Sequence, residues 1–367
     1  MKNTFGSSIT VTLFGESHGE AIGAVLDGLA PGIRIDTDLI ERRLALRRPS
    51  GEISTARVEK DEYRLLSGVF GGFTTGTPLA ILIENKDTVS EGYTARKDTP
   101  RPGHADYTAR CKYHGYEDYR GGGHFSGRIT AALVAAGAIL ESALKEKGIQ
   151  IGTHIASLHG VADRAFSDYA KDIGLLSEKT FPALSAEAEE KMKGEIAAAK
   201  AHGDSVGGIL ESVILGVPPG VGEPWFDSME SMIAHMLFSI GGVKGVEFGD
   251  GFGLADMTGS EANDAFAAEN GTVITKTNHN GGIGGGITNG MPITLRCAVK
   301  PTPSIGKEQK TVNLQTMQNT EIKVEGRHDP AIVHRVRSVV DACLAIVVAD
   351  MLTQRFGTDY LGTAEKV

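Results

Sequence analysis

Two histidines and several arginines stand in glycine-flanked polar turns, and their chemistry suits proton transfer and anion binding. Gly15-Glu16-Ser17-His18-Gly19 follows the run ITVTLF at 9–14, whose β-branched and apolar alternation predicts a strand. A Ser–His pair at a strand end faces whatever sits there, and histidine titrates near neutral pH, so His18 suits a general acid. Alone, the same five residues read more simply as a β-turn with a solvated histidine. In Arg101-Pro102-Gly103-His104-Ala105-Asp106-Tyr107 the Pro–Gly turn brings Arg101 and His104 together. An arginine there can hold phosphate or carboxylate through two parallel hydrogen bonds.

Arg120-Gly121-Gly122-Gly123-His124-Phe125-Ser126-Gly127-Arg128 precedes the strongest helical stretch. Glycines before a helix start expose backbone N–H groups at the positive end of the dipole, which makes an anion site. Arg120, Ser126 and Arg128 add donors, and an arginine at a helix start is unfavourable without an anion. Arg47-Arg48-Pro49 ends a predicted helix, where cations are favourable by themselves. Lys300-Pro301-Thr302-Pro303-Ser304 and Gly326-Arg327-His328-Asp329-Pro330 are two further polar turns. Asp329 alone reads as part of a helix cap.

The stock signatures exclude more than they assign. Gly122–Arg128 matches a P-loop only to its sixth position, with Arg128 and Ile129 where Lys and Ser or Thr are needed. Gly281–Gly286 contains GxGxG but not GxGxxG, so no dinucleotide fingerprint is present. No metal-ligand spacing occurs. Many cations without a metal motif suit a small, multiply anionic substrate and a phosphate-bearing cofactor. The chain has 367 residues, with 37 Lys and Arg against 46 Asp and Glu, a net charge of −9. That balance argues against a nucleic-acid binder, which needs a basic footprint. Glycine, at 48 residues, is about twice as frequent as usual.

Three scattered cysteines, Cys111, Cys297 and Cys343, predict a reducing compartment and no disulfide framework. The N-terminus lacks a long apolar stretch, so no secretory signal is expected. Residues 129–144 and 336–352 are the most apolar, but Glu141, Arg337, Asp341 and Asp350 interrupt them. Both predict buried helices rather than membrane spans, hence a soluble, cytoplasmic protein.

The elements that must position these residues follow from periodicity. Strands are predicted at 9–14, 24–29, 63–70, 79–84, 149–161, 205–217, 244–248 and 292–300. Helices are predicted at 36–48, 130–147, 184–200, 228–240 and from 331 to 355. Gly137, inside the helix at 130–147, marks a close packing contact. Residues 85–123 lack periodicity and predict a long functional loop. No linker or repeat divides the chain, so 1–367 is expected to form one α+β domain.

Ten ordered blocks from residue 15 to 330 resemble the chorismate synthase family. They include GESHGEAIGAVLDGLAPG (15–32), RRPSG (47–51), RPGHADY (101–107), DYRGGGHFSGRITA (118–131), NHNGGIGGGITNG (278–290), KPTPSI (300–305) and GRHDP (326–330). The resemblance implies a single-domain β-α-β sandwich, with helices between two antiparallel sheets, assembled as a homotetramer. It implies a carbon–oxygen lyase of the shikimate pathway. That lyase removes phosphate and a ring proton from 5-enolpyruvylshikimate 3-phosphate by anti-1,4-elimination, giving chorismate. Reduced FMN is required without net redox change. NADPH serves only as an indirect reductant, through a separate flavin reductase.

Carried over by motif, His18 resembles the acid that protonates the leaving phosphate, and His104 the histidine at flavin N1. Asp329 with Ser17 resembles the pair that relays a proton. His124, Phe125, Ser126, Gly241, Gly242, Gly285, Lys300, Pro301, Thr302, Pro303, Ser304 and Arg327 resemble flavin contacts. Arg47, Arg101, Ser126, Arg128 and Arg327 resemble substrate-binding residues. No metal, nucleic acid or membrane is implied. The chain departs from the common family pattern at His124-Phe125, Gly241-Gly242, Pro303 and Glu52. Two rival readings from the residues are a nucleotide-dependent phosphotransferase, which would need ATP and Mg²⁺, and a non-catalytic flavin-binding protein.

Overall fold

A computed structural model describes residues 2–49, 51, 53–54, 60–86, 97–324 and 329–363. Glu52 and Arg327 lie outside the described residues. The first sheet contains β1 (Thr4–Phe5), β2 (Thr10–Gly15), β3 (Ala21–Asp27), β4 (Tyr63–Ser67) and β5 (Leu79–Glu84), in the order β1-β2-β3-β5-β4. Every pairing in it is antiparallel. The second contains β6 (Gln150–Leu158), β7 (Val161–Ala162), β8 (Gly208–Leu215), β9 (Val243–Phe248) and β10 (Ile293–Val299), in the order β9-β10-β8-β6-β7, again antiparallel throughout.

Between the sheets lie α1 (Thr37–Arg47), α3 (Thr130–Glu146) and α7 (Val333–Phe356); α3 packs on the first sheet and α7 on the second. The sandwich follows from patterning. Leu79, Ile81 and Ile83 alternate along β5 and are fully buried, as are Ile22, Ala24 and Leu26 on β3. Helices covered on several sides cannot be amphipathic, so α3 and α7 read as near-continuous apolar runs. Gly137 sits where they cross: a Cβ built on it would stand 2.4 Å from the Cβ of Ala342. Residues 127–146 are long and apolar enough to cross a membrane by length and composition, but they form this core helix and are mostly buried.

The charges within the apolar runs all have partners. Glu141 accepts from Arg43 Nε at 2.8 Å. Arg337 donates to the carbonyls of Leu176 and Lys179, both at 2.9 Å. Asp350 accepts the backbone N–H groups of Ser7, Ser8 and Ile9 at 2.7–3.0 Å, fixing the N-terminal segment to the core.

Several elements differ from the sequence reading. Residues 85–123 are not all loop: α2 (Asp106–Tyr113) lies within them. Only Ala109 of α2 is buried, so no apolar period could betray it. A further helix, α4 (Tyr169–Ser177), precedes the two expected ones, α5 (Ala186–Ala201) before β8 and α6 (Met229–Ser239) after it. The predicted strand at 63–70 breaks after β4 at Gly68, whose φ is +79°. Exposed hairpins at 266–275 and 308–323 carry no strong alternation, because neither covers the core.

Candidate active site

The polar turns converge at the ends of the first sheet. β2 ends at Gly15, and His124 Nδ1 meets the Gly15 carbonyl at 2.8 Å, joining that strand end to the glycine-rich segment. The buried Ser17 donates its backbone N–H to the Gly123 carbonyl at 3.1 Å. Gly121, Gly122 and Gly123 have φ of +58°, +85° and +53°, a left-handed run open to glycine at little cost. The run is fitted between two imidazoles. A Cβ on Gly121 would stand 2.1 Å from His18 Cε1, and one on Gly122 would stand 3.3 Å from His104 Cε1. The glycines therefore do not open α3 directly, as the sequence reading expects. Short 3₁₀ turns intervene, and Ser126 Oγ accepts from Arg128 N at 3.3 Å.

On the His104 side, Asp106 holds Arg101 with both oxygens, Nε and Nη2 each at 2.8 Å. Arg101 Nη1 also donates to Ser304 Oγ at 2.9 Å. Lys300 Nζ donates to the Gly103 carbonyl, so the 300–304 turn closes on the 101–104 turn. Burial raises the Asp106 carboxyl, but hydrogen bonds and charge from Arg101 and His104 outweigh that and hold it well below the usual carboxylate range. Beside this cluster opens a cleft walled by Tyr119, Phe125, Ile322 and Val324, with Lys97 and Arg101 among its cations.

On the His18 side, Asn85 is the fastener. Its Nδ2 donates to the carbonyls of Glu16 and Gly19, both at 2.9 Å, so it clamps the turn that carries Ser17 and His18. Its Oδ1 accepts Arg128 Nε at 2.9 Å. Arg128 in turn pairs with the buried Asp61, which also accepts Arg47 Nη2 at 2.8 Å. Burial raises the Asp61 carboxyl, and Arg47 and Arg128 together pull it below its ordinary value. Arg335 donates to the Arg47 carbonyl at 2.8 Å and pairs with Asp329. Thr302 Oγ1 donates to the Asp329 carbonyl at 2.6 Å, which returns the network to the 300–304 turn.

These contacts join residues from β2, α1, α2, α7 and the turns between elements into one belt. Its chemistry is that of an anion site with two histidines. Among the described residues, no group of three His, Cys, Asp or Glu side chains could hold a metal ion.

A family model described as Chorismate synthase matches residues 9–353. The chain belongs to the chorismate synthase family. It is a carbon–oxygen lyase of the shikimate pathway. A chorismate synthase of Pyrococcus abyssi is 49% identical over 350 residues, covering 95% of this chain and 97% of the relative. One from Methanosarcina barkeri is 46% identical over 349 residues, covering 95% of each chain. A solved structure titled "Crystal Structure of Chorismate Synthase" superposes with a TM-score of 0.76 at 30% identity, over 97% of this chain and 95% of that one. The expected sandwich fold is thus the family's fold.

The sequence-predicted residues fall into three places. Ser17, His18, Arg101, His104, His124, Phe125, Ser126, Lys300 and Ser304 lie around the glycine turn and its cleft. Arg47 and Arg128 lie behind them on Asp61, and Asp329 with Thr302 lies on Arg335. Gly242 accepts Lys300 N at 2.9 Å, which sets Gly241 and Gly242 beside the third group. A Cβ on Gly207 would meet Pro301 Cδ at 2.9 Å, and the Pro303 carbonyl accepts from Gln309 Nε2 at 3.3 Å. Gly285 stands apart, in the small hairpin 283–288 packed on Val221 and Ser228. Sequence reasoning missed Asp61, Asn85, Asp106 and Arg335. Asp106 was in reach, two residues after His104 in one motif; Asp61 and Asn85 have no local signal.

Proposed function

We propose that this chain converts 5-enolpyruvylshikimate 3-phosphate to chorismate, with His18 as the acid for the leaving phosphate and reduced FMN as the cofactor. The observation that carries this reading is the left-handed glycine turn, with His18 against Gly121 and His104 against Gly122, so that two imidazoles border one backbone segment. Proton donation from an imidazole suits a phosphate leaving near neutral pH.

The residues present fit the flavin. The aromatic and apolar walls of the cleft suit a planar ring; its cations Lys97 and Arg101 stand among Asp106, Glu117 and Asp118, and Lys300 lies next to it on the Gly103 carbonyl. When bound, reduced FMN supplies electron density that eases cleavage of the allylic C–O bond and recovers it afterwards. His104 would hold the ring at its N1 side. His124, Phe125, Ser126, Gly241, Gly242, Lys300 to Ser304 and Arg327 would hold the rest, whereas Gly285 stands apart in its hairpin. Arg47, Arg101, Ser126, Arg128 and Arg327 hold the substrate. Arg47 Nε has no hydrogen-bond partner among the described residues, which leaves a buried donor for an anionic oxygen. Asp329 with Ser17 moves the ring proton towards solvent.

The same reading makes the protein one domain and a cytoplasmic homotetramer that receives reduced flavin from a separate NADPH-dependent reductase. One continuous core and the three free thiols support the first two points. Exposed Trp225, Phe226 and Phe252 offer apolar surface for assembly.

His18→Ala tests the acid. Turnover is expected to fall about 10²- to 10⁴-fold, with FMN affinity little changed. Full turnover in this variant would remove His18 from the mechanism.

A further inference from the structure

We infer that Arg335 is a positioning residue that holds the Asp329 carboxylate in place for proton transfer, with the end of α1 as its fixed point. The inference rests on the role proposed for Asp329, and its test separates the two. Arg335 Nη1 pairs with Asp329 Oδ2, and Nε donates to the Arg47 carbonyl at 2.8 Å. Arg47 is the last residue of α1, so this carbonyl is a helix-end acceptor that needs a donor from outside the helix. A planar guanidinium held at Nε has little freedom to turn, so Nη1 is fixed too, and with it the carboxylate oxygen. The backbone around Asp329 is held separately. Its carbonyl accepts Thr302 Oγ1 at 2.6 Å, and the Pro330 carbonyl accepts Val206 N at 2.8 Å. Those bonds set the backbone, and Arg335 grips the side chain.

Helix stability does not explain an arginine here. Arg335 lies in the first turn of α7, at the positive end of the dipole, where a cation is unfavourable. Its side chain is only 16% exposed, and burial pulls the guanidinium below its ordinary pKa. Asp329 opposes that, and the neighbouring Arg47 cation adds to it. A buried ion pair gives a fold little that apolar residues would not, although removing one partner strands the other. The use of this pair is geometric. It ties the helix that carries Arg47, a proposed substrate residue, to the carboxylate that moves the ring proton. Substrate and proton acceptor thus share one frame.

The test is a double-mutant cycle on Arg335 and Asp329. It is read as kcat and KM for 5-enolpyruvylshikimate 3-phosphate with reduced FMN, beside a thermal melt of each variant. Arg335→Gln is expected to lower kcat about ten- to a hundredfold, the scale of a misplaced group, with KM nearly unchanged. In the Asp329→Asn background the same change should cost nothing further, because a residue that acts through the carboxylate has nothing left to position. Arg335→Lys keeps the charge but not the planar fork, and should recover part of the loss. If Arg335→Gln does not fold, the cycle is run with Arg335→Lys; a smaller loss is then expected, again absent beside Asp329→Asn. Wild-type kcat in the folded Arg335 variant, or an equal loss with and without the Asp329 carboxylate, would overturn the inference. Wild-type turnover in Asp329→Asn alone would instead remove Asp329 from the mechanism, and the inference with it.

Discussion

His18 and Gly121 are packed so closely that a single added carbon on the glycine would overlap the imidazole, at 2.1 Å from Cε1 and 2.3 Å from Nδ1. The backbone of the glycine turn is therefore the surface that sets where this histidine points. Gly121→Ala places a side chain at φ +58° and forces the ring to move. The imidazole can swing away, so the fold should survive with a loss of about 1 kcal/mol from the left-handed backbone. Turnover should fall about a hundredfold, the cost of a misplacement near 1 Å. Steady-state kinetics beside a thermal melt would separate the two effects. Gly122→Ala meets its histidine only at 3.3 Å and should be milder.

Asn85 links the acid's turn to the buried arginines, and its removal should act on His18 from a distance. Asn85→Ala leaves the Glu16 and Gly19 carbonyls and Arg128 Nε without their partner. A stability loss of about 1–3 kcal/mol is expected by denaturant titration. Activity should fall further than that loss explains. Wild-type kcat in a folded Asn85→Ala protein would show that the clamp is dispensable.

Asp61 makes stability depend on pH. Its folded carboxyl titrates below the unfolded value because Arg47 and Arg128 outweigh burial. Its contribution is therefore complete above the unfolded value, about 3.9, and is lost as pH falls towards and through the folded value. Asp106 acts in the same direction. Melting temperature should rise between about pH 2 and pH 5, and the rise should be smaller in Asp61→Asn. That variant also leaves two buried guanidinium groups uncompensated, so a loss of about 3–5 kcal/mol at pH 7 is expected. A melting curve with the wild-type pH slope would contradict the assignment.

Gly137→Val tests the crossing of α3 and α7. Its Cβ would fall within 2.5 Å of the Ala342 Cα, which is backbone and cannot step aside. Overpacking of about 1–3 kcal/mol is expected, seen as a lower melting temperature with the active-site residues untouched.

The sequence shows where the deep elements are and why. β5, α3 and α7 are buried on several sides, so their apolar runs are long and unmistakable, and Gly137 inside a strong helical pattern already signals close packing. α2 and the 308–323 hairpin cover no core, so nothing in their periodicity separates them from loop. Each turn of the site is legible by itself, because Pro–Gly, Gly–Gly–Gly and Ser–His are local chemistry. Their assembly is not. Asn85 contacts residues 66 to 69 positions away, and Asp61 joins Arg47 to Arg128, partners that only the packed sandwich brings together.

The most direct test of the whole account is an anaerobic assay. Purified protein is mixed with 5-enolpyruvylshikimate 3-phosphate and dithionite-reduced FMN, and chorismate absorbance and free phosphate are followed together. Equal appearance of both products is expected with reduced FMN, and neither with oxidised FMN. Phosphate release without chorismate, or turnover that ignores the flavin's redox state, would contradict it.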